Sequence, residues 1–275
     1  MHRILMCAPE HFDIAYVINP WMKGNVARCD PQLAMRQWQD LSRAIGQVAI
    51  VESVRGDQQV PDMVFTANAG LVLEGKVVLS RFRHAERQPE EALFARWFEE
   101  QGYEVLRLPA GLYFEGAGDA LFDRGQREHG LLWLGHGHRS DEAAAPHLET
   151  LLHTPVQTLR LVDPRFYHLD TCFCPLDGGD LLYYPEAFDA ASQARINSLI
   201  PPERRIAVNA ADAGGFACNA VSVEKQIFLN QASPELALAL QERGYFLNIL
   251  ELSEFMKAGG AAKCLTLRLD ERRSG

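Results

Sequence analysis

The feature that most constrains this chain is a recurrence of about fifty residues. Five stretches interleave charged and apolar residues at three-to-four spacing, near 31–46, 88–101, 140–152, 189–199 and 233–243, which predicts five amphipathic helices. Boundary signals agree: Asp141, Asp189 and Ser233-Pro234 stand at helix starts, Gly102 and Gly244 just past helix ends. A short strand follows each helix, at 48–51, 103–108, 156–161, 205–208 and 246–250. Between these units lie apolar strand pairs, the first running over 64–79 with Glu74-Gly75 as a hairpin turn. Comparable pairs are expected at 119–134, 171–184 and 220–229, and a fifth joins 265–269 to 4–7, so the chain closes on itself. With Phe65, Phe114, His168, Phe216 and Cys264 as markers, successive steps are 49, 54, 48 and 48 residues. Repeats of this length point to a radial array, and the strand-strand-helix-strand content separates it from an all-strand propeller. The reading is α/β, pseudo-fivefold, one domain over residues 1–275 with no linker.

A radial array converges equivalent loops on one mouth, and polar residues cluster at that phase: Asp62 and Asn68, Glu115 and Asp119, His168 and Asp170, Asp212, then Cys264. Cys264 follows Gly259-Gly260-Ala261-Ala262, small residues that let backbone and a planar ligand approach closely, and precedes the alternating Leu265, Leu267 and Leu269, which predicts a half-buried strand. His168 and Asp170 lie two apart, on one face of an extended segment. Nucleophile, acid/base and orienting carboxylate are then all available.

Composition narrows the partners. A net charge of −9 opposes a phosphate backbone or an anionic membrane surface, so neither nucleic acid nor membrane is expected, and it suits a cationic substrate. No apolar run of about 18 residues occurs and the N-terminus turns polar too early for a signal peptide, so a cytoplasmic location is expected. The six cysteines should then be reduced thiols. Neither Cys172-x-Cys174 nor His136-x-His138, with His129, His147 and His153 nearby, has a metal-ligand pattern, so no metal is expected.

Six stretches together resemble the guanidine-modifying, or amidinotransferase, superfamily, which includes arginine deiminases, dimethylarginine dimethylaminohydrolases, amidinotransferases and arginine dihydrolases. They are Asn19-Pro20, the run from Pro61 to Asn68 that includes Phe65, the run from Phe114 to Asp119, Gly135-His136-Gly137-His138-Arg139, His168-Leu169-Asp170-Thr171, and Cys264. The resemblance covers nearly the whole chain and implies a five-bladed α/β propeller with a central active site. It implies Cys264 as nucleophile, His168 as general acid/base and Glu115 as the acidic partner of His168. Asp170 and Asp119 are then expected to grip guanidinium nitrogens, and Arg139 and Arg87 to hold an amino acid's carboxylate. No cofactor is implied; the partner is arginine or a related guanidino amino acid, and a homo-oligomer is compatible with such a chain.

Where deiminases carry Arg-Asp after Phe-Thr, this sequence has Ala67-Asn68. An amide donates as well as accepts, which suits a neutral ureido oxygen. With the run from Ile18 to Met22, this is similar to the arginine dihydrolases, which would take arginine to ornithine, carbon dioxide and two ammonia molecules. The alternatives are a deiminase stopping at citrulline, a methylarginine hydrolase, amidinotransfer to a second amine, and a non-catalytic binding propeller. The segment 17–25 is a candidate lid.

Overall fold

The computed structural model describes residues 1–125 and 130–272; His129 falls outside them. Fifteen short strands follow in chain order: β1 His2–Cys7, β2 Ala49–Val54, β3 Gly70–Leu73, β4 Lys76–Leu79, β5 Glu104–Leu106, β6 Ala120–Phe122, β7 Leu132–His136, β8 Val156–Arg160, β9 Phe173–Pro175, β10 Leu181–Tyr183, β11 Arg205–Ala207, β12 Val221–Val223, β13 Gln226–Leu229, β14 Phe246–Ile249 and β15 Leu267–Arg268. They form five three-stranded sheets, β15-β1-β2, β3-β4-β5, β6-β7-β8, β9-β10-β11 and β12-β13-β14. In each, an antiparallel pair is extended by a parallel outer strand that the chain reaches through a helix. This is the five-bladed α/β propeller. The ring closes where β1 of the first blade pairs with β15, Leu5 opposite Leu267.

The helices that lead to the outer strands are Pro31–Ile45, Glu90–Glu100, Ala145–Leu152, Ala190–Leu199 and Pro234–Glu242. Three of their starts are capped by a side chain: Asp30 accepts from the amides of Gln32 and Leu33, Asp189 from Ser192 and Ser233 from Leu236, satisfying donors that the helix leaves unpaired. Glu74 and Gly75 both take positive φ, 50° and 79°, the tight turn that the β3-β4 hairpin requires. Burial grades outward: β3 and β6 are wholly buried, whereas β5 and β14 are half-buried or exposed. No helix among the described residues is long and apolar enough to cross a membrane.

Two expectations change at the mouth. The pair placed at 64–79 starts only at Gly70; Pro61–Val64 and Thr66–Ala69 are short helical turns. Similar turns, Gly116–Gly118 and Leu169–Thr171, occupy the same phase in two other blades. Nor does a strand carry Cys264. The Leu265 amide bonds Ala261 and that of Thr266 bonds Lys263, so the cysteine sits on a helical turn. Thr266 is as buried as its leucine neighbours, because this segment lies inside the ring and has no solvent face.

Candidate active site

The mouth turns aim side chains from all five blades inward. Phe65, Asn68, Arg87, Arg139, His168 and Cys264 line one cavity of about 260 Å³. Asn19 and Asp62 also line it.

Cys264 is 3% exposed. Its Sγ lies 3.4 and 3.6 Å from the Asp170 oxygens and receives the Asn219 Nδ2–H at 3.1 Å. The Asn219 Oδ1 also accepts from the amides of Ala261 and Cys264, which fixes the turn. Burial, then the Asp170 charge, push the thiol well above its usual range, while the Asn219 hydrogen bond favours the thiolate. Burial likewise pushes Asp170 up to about 7, against the Lys263 ammonium and bonds to Cys264 and Asn219. In the free protein the thiol therefore donates to the carboxylate. Gly260 is required here, since a Cβ would come within 2.7 Å of Phe65 and 2.9 Å of the Cys264 Cβ.

His168 Nε2 and Glu115 Oε2 are 2.6 Å apart. Arg139 Nη1 donates to the same oxygen at 3.0 Å and Nη2 to the Ile18 carbonyl at 2.9 Å, with the guanidinium over the Tyr167 ring. Burial alone would push the Glu115 pKa up, yet the adjacent Arg139 and His168 hold it well below the carboxylate range. An ionised Glu115 fixes the proton on His168 Nε2, leaving Nδ1 as the exchanging nitrogen.

Asn68 Oδ1 accepts from Arg87 Nη1 at 2.8 Å, and its Nδ2 donates to the Glu115 carbonyl at 3.0 Å. Arginine can only donate and a carbonyl only accept, so the amide has one orientation and keeps one N–H. Arg87 directs Nε and Nη2 to the two Glu90 oxygens at 2.7 and 2.8 Å. Burial pushes Glu90 up to about 7 despite that pair. Asn19 spends its amide on Trp21, Met22 and Ala258, tying the segment 17–25 across the cavity.

Several sequence expectations meet a different arrangement. Asp119 does not line the cavity: Ser140 donates to its Oδ2 and the Leu169 amide to its Oδ1, so it braces the turn after His168 instead of facing a ligand. The Arg87 fork, expected on a ligand carboxylate, is filled by Glu90. Asp212 caps the helix beginning at Pro234 through Ser233. The same blade, β12-β13-β14, contributes Asn219 in its place, and the repeated Phe-x-x-Asn at Phe65 and Phe216 was the available signal. Sequence reasoning also left Asp62 without a role; it accepts from the Tyr16 hydroxyl on Oδ2, while Oδ1 is buried without a partner at the cavity. Among the described residues no group of His, Cys, Asp and Glu is arranged to hold a metal.

A thiol beside a carboxylate, an imidazole oriented by another, and buried Asp62, Glu90, Glu115 and Asp170 against buried Arg87 and Arg139 define a nucleophilic site built for a cation. A family profile described as N,N dimethylarginine dimethylhydrolase, eukaryotic, matches residues 19–270. A Mycobacterium tuberculosis N(G),N(G)-dimethylarginine dimethylaminohydrolase is 38% identical over 97% of this chain and 85% of that protein. The chain belongs to this family of the guanidine-modifying superfamily. The bifunctional arginine dihydrolase/ornithine cyclodeaminase ArgZ of Synechocystis is 56% identical over 98% of this chain, which spans 38% of that longer protein. The ArgZ N-terminal domain, as a cysteine-to-serine mutant bound to substrate, superposes with a TM-score of 0.96 at 55% identity, covering 99% of both chains. A further ArgZ N-terminal structure holds a covalent reaction intermediate, with a TM-score of 0.97 at 55% identity and 99% coverage of both chains.

Proposed function

We propose that this chain is an arginine dihydrolase acting through Cys264 as one catalytic unit. The observation that carries the reading is the Cys264, Asp170 and Asn219 cluster, with Cys264 lining the same cavity as His168 and Asp62. A bound guanidinium would be gripped by Asp170, which offsets its charge and orients its carbon toward Sγ. That cation also reverses the thiol's bias, since a nearby positive charge favours the thiolate. Sulfur adds to the guanidino carbon and His168 protonates the departing ammonia. His168 then takes a proton from water as it attacks the thiouronium, and citrulline and the free thiolate result. A second addition at the ureido carbon expels a second ammonia; hydrolysis leaves an N-carboxylated ornithine, which loses carbon dioxide.

Two groups suit the second round. The remaining Asn68 N–H can donate to a neutral ureido oxygen, where a carboxylate could not. The unpartnered Asp62 Oδ1 suits the substrate's α-ammonium, and Arg139 its α-carboxylate; Arg87 acts through Asn68 and Glu90. Residue roles, a cytoplasmic setting and any homo-oligomer belong to this proposal. The test incubates the protein separately with arginine, citrulline and a methylated arginine. Ornithine with two ammonia per arginine is expected; stoichiometric citrulline would make it a deiminase. Alkylamine release from methylarginine as the faster reaction would favour the activity named by the family profile.

A further inference from the structure

A second cavity shares no lining residue with the first. Inner strands of all five blades wall it, through Leu71, Leu121, Phe173, Val221 and Leu267 among others, so it runs along the propeller axis. The turn at 261–266 is the partition between the two cavities: Cys264 faces the candidate active site, whereas Lys263 and Thr266 face the axial chamber.

The chamber's other charges neutralise one another. Arg268 pairs with Asp177 at 2.8 Å, and Arg124 with Asp177 at 3.3 Å and Glu271 at 2.7 Å. Lys263 differs. Among the described residues it forms no ion pair, and its Nζ meets only the Ala117 carbonyl, at 3.4 Å. Its backbone is held on both sides, the amide by the Asn219 carbonyl at 3.1 Å and the carbonyl by the Thr266 hydroxyl at 3.0 Å. Asn219 is also the residue that binds the Cys264 sulfur and the Asp170 carbonyl. A charge with no ion-pair partner among the described residues, next in sequence to the nucleophile and in the wall between two cavities, acts at longer range than a surface lysine.

We propose that Lys263 is a positioning residue for the reaction assigned to Cys264, an ammonium held behind the site that keeps Asp170 ionised and the sulfur ready to ionise before any cation binds. The lysine cannot touch substrate, because it lines the other cavity. Its direction of action agrees with the acidity of its neighbours: Lys263 foremost opposes the burial that raises Asp170, and it also favours the thiolates of Cys264 and Cys174. The groups around the pair are Tyr167, His168 and Arg139 on the substrate side, with Glu115 bonded behind His168 and Arg139, and Cys174, Arg124, Asp177, Arg268 and Glu271 on the chamber side. Of these charges only that of Lys263 is changed below.

This inference rests on the proposed hydrolase reading, yet alkylation of Cys264 by iodoacetamide without arginine tests it separately. In Lys263→Met the alkylation midpoint should move up by about one pH unit, as loss of a nearby cation does, and the acid limb of kcat/KM should move with it. At pH 7 kcat should fall at least tenfold with a smaller change in KM, and Lys263→Arg should restore both profiles. Lys263→Gln, which still donates to Ala117, carries the test if the methionine variant does not fold. A neutral variant whose midpoint matches the original overturns the proposal, whatever its melting temperature. Failure of the unaltered protein to turn over arginine would instead overturn the hydrolase reading and leave the alkylation result standing.

Discussion

Glu115→Gln probes both stability and chemistry at one buried position. One oxygen of Glu115 receives His168 and Arg139, and the other the Arg83 amide at 3.2 Å. A glutamine has one acceptor oxygen, so either Arg83 or the His168 and Arg139 pair must face an NH2. An unsatisfied buried donor costs about 1–3 kcal/mol, and leaving Arg139 buried without its counterion brings the total to about 3–5 kcal/mol. In a domain of this size that lowers Tm by roughly 10 °C. His168 also loses the carboxylate that orients its ring, so kcat should fall by about 10²–10⁴. Because Arg139 and His168 depress the folded-state pKa of Glu115, its contribution is complete above the ordinary carboxylate range and lost as pH falls through the depressed value. Urea unfolding at pH 6 and pH 3 with ammonia release at saturating arginine reads all three effects. A variant within threefold in kcat, equally stable at pH 6, would refute the reasoning.

Asp170→Asn should separate activity from stability. The native carboxyl is pushed up to about 7, so the folded chain retains a proton that the unfolded chain releases near pH 4, and the burial penalty grows between those values. The variant should gain about 1–3 kcal/mol over the unaltered protein at pH 8 relative to pH 4 while losing at least a hundredfold in turnover; an equal gap at both pH values in urea melts would contradict this. Gly118→Ala places a Cβ 2.2 Å from Asn68 Nδ2, and overpacking there should cost about 1–3 kcal/mol. Ornithine formation should drop more than citrulline formation, and an unchanged product ratio would show that the amide's position is not critical. Asn68→Asp loses the donor to the Glu115 carbonyl and should accumulate citrulline; undiminished ornithine on product chromatography would remove Asn68 from the second step.

Blade architecture was legible because it is written locally. Helix caps such as Asp189 and Ser233, the Glu74-Gly75 turn and apolar strands at a constant step all act over a few residues. Cys264, His168, Glu115 and Asn68 fell at one phase of the repeat and do line one cavity or bond within it. What spacing cannot show is which partner a charged side chain finds across blades. Asp119 and Glu115 look equivalent in the sequence, yet Ser140 and Leu169 claim one while His168 and Arg139 claim the other. Arg87 resembled a ligand contact until Glu90, one helical turn away, took up its fork. Asn219 was missed because an amide in an apolar run carries no charge signal, although its repeat position matched that of Asn68.

The pairing of β1 with β15 also orders events in time. Within this ring, synthesis delivers the first blade's β1 before the strands of the other four blades and its inner strand after them, with the turn bearing Cys264 just before it. A growing chain can assemble the intervening blades, with His168 and Glu115 among them, while the nucleophile is still missing. Ring closure and arrival of the thiol are therefore one event, and a chain whose ring is still open lacks Cys264.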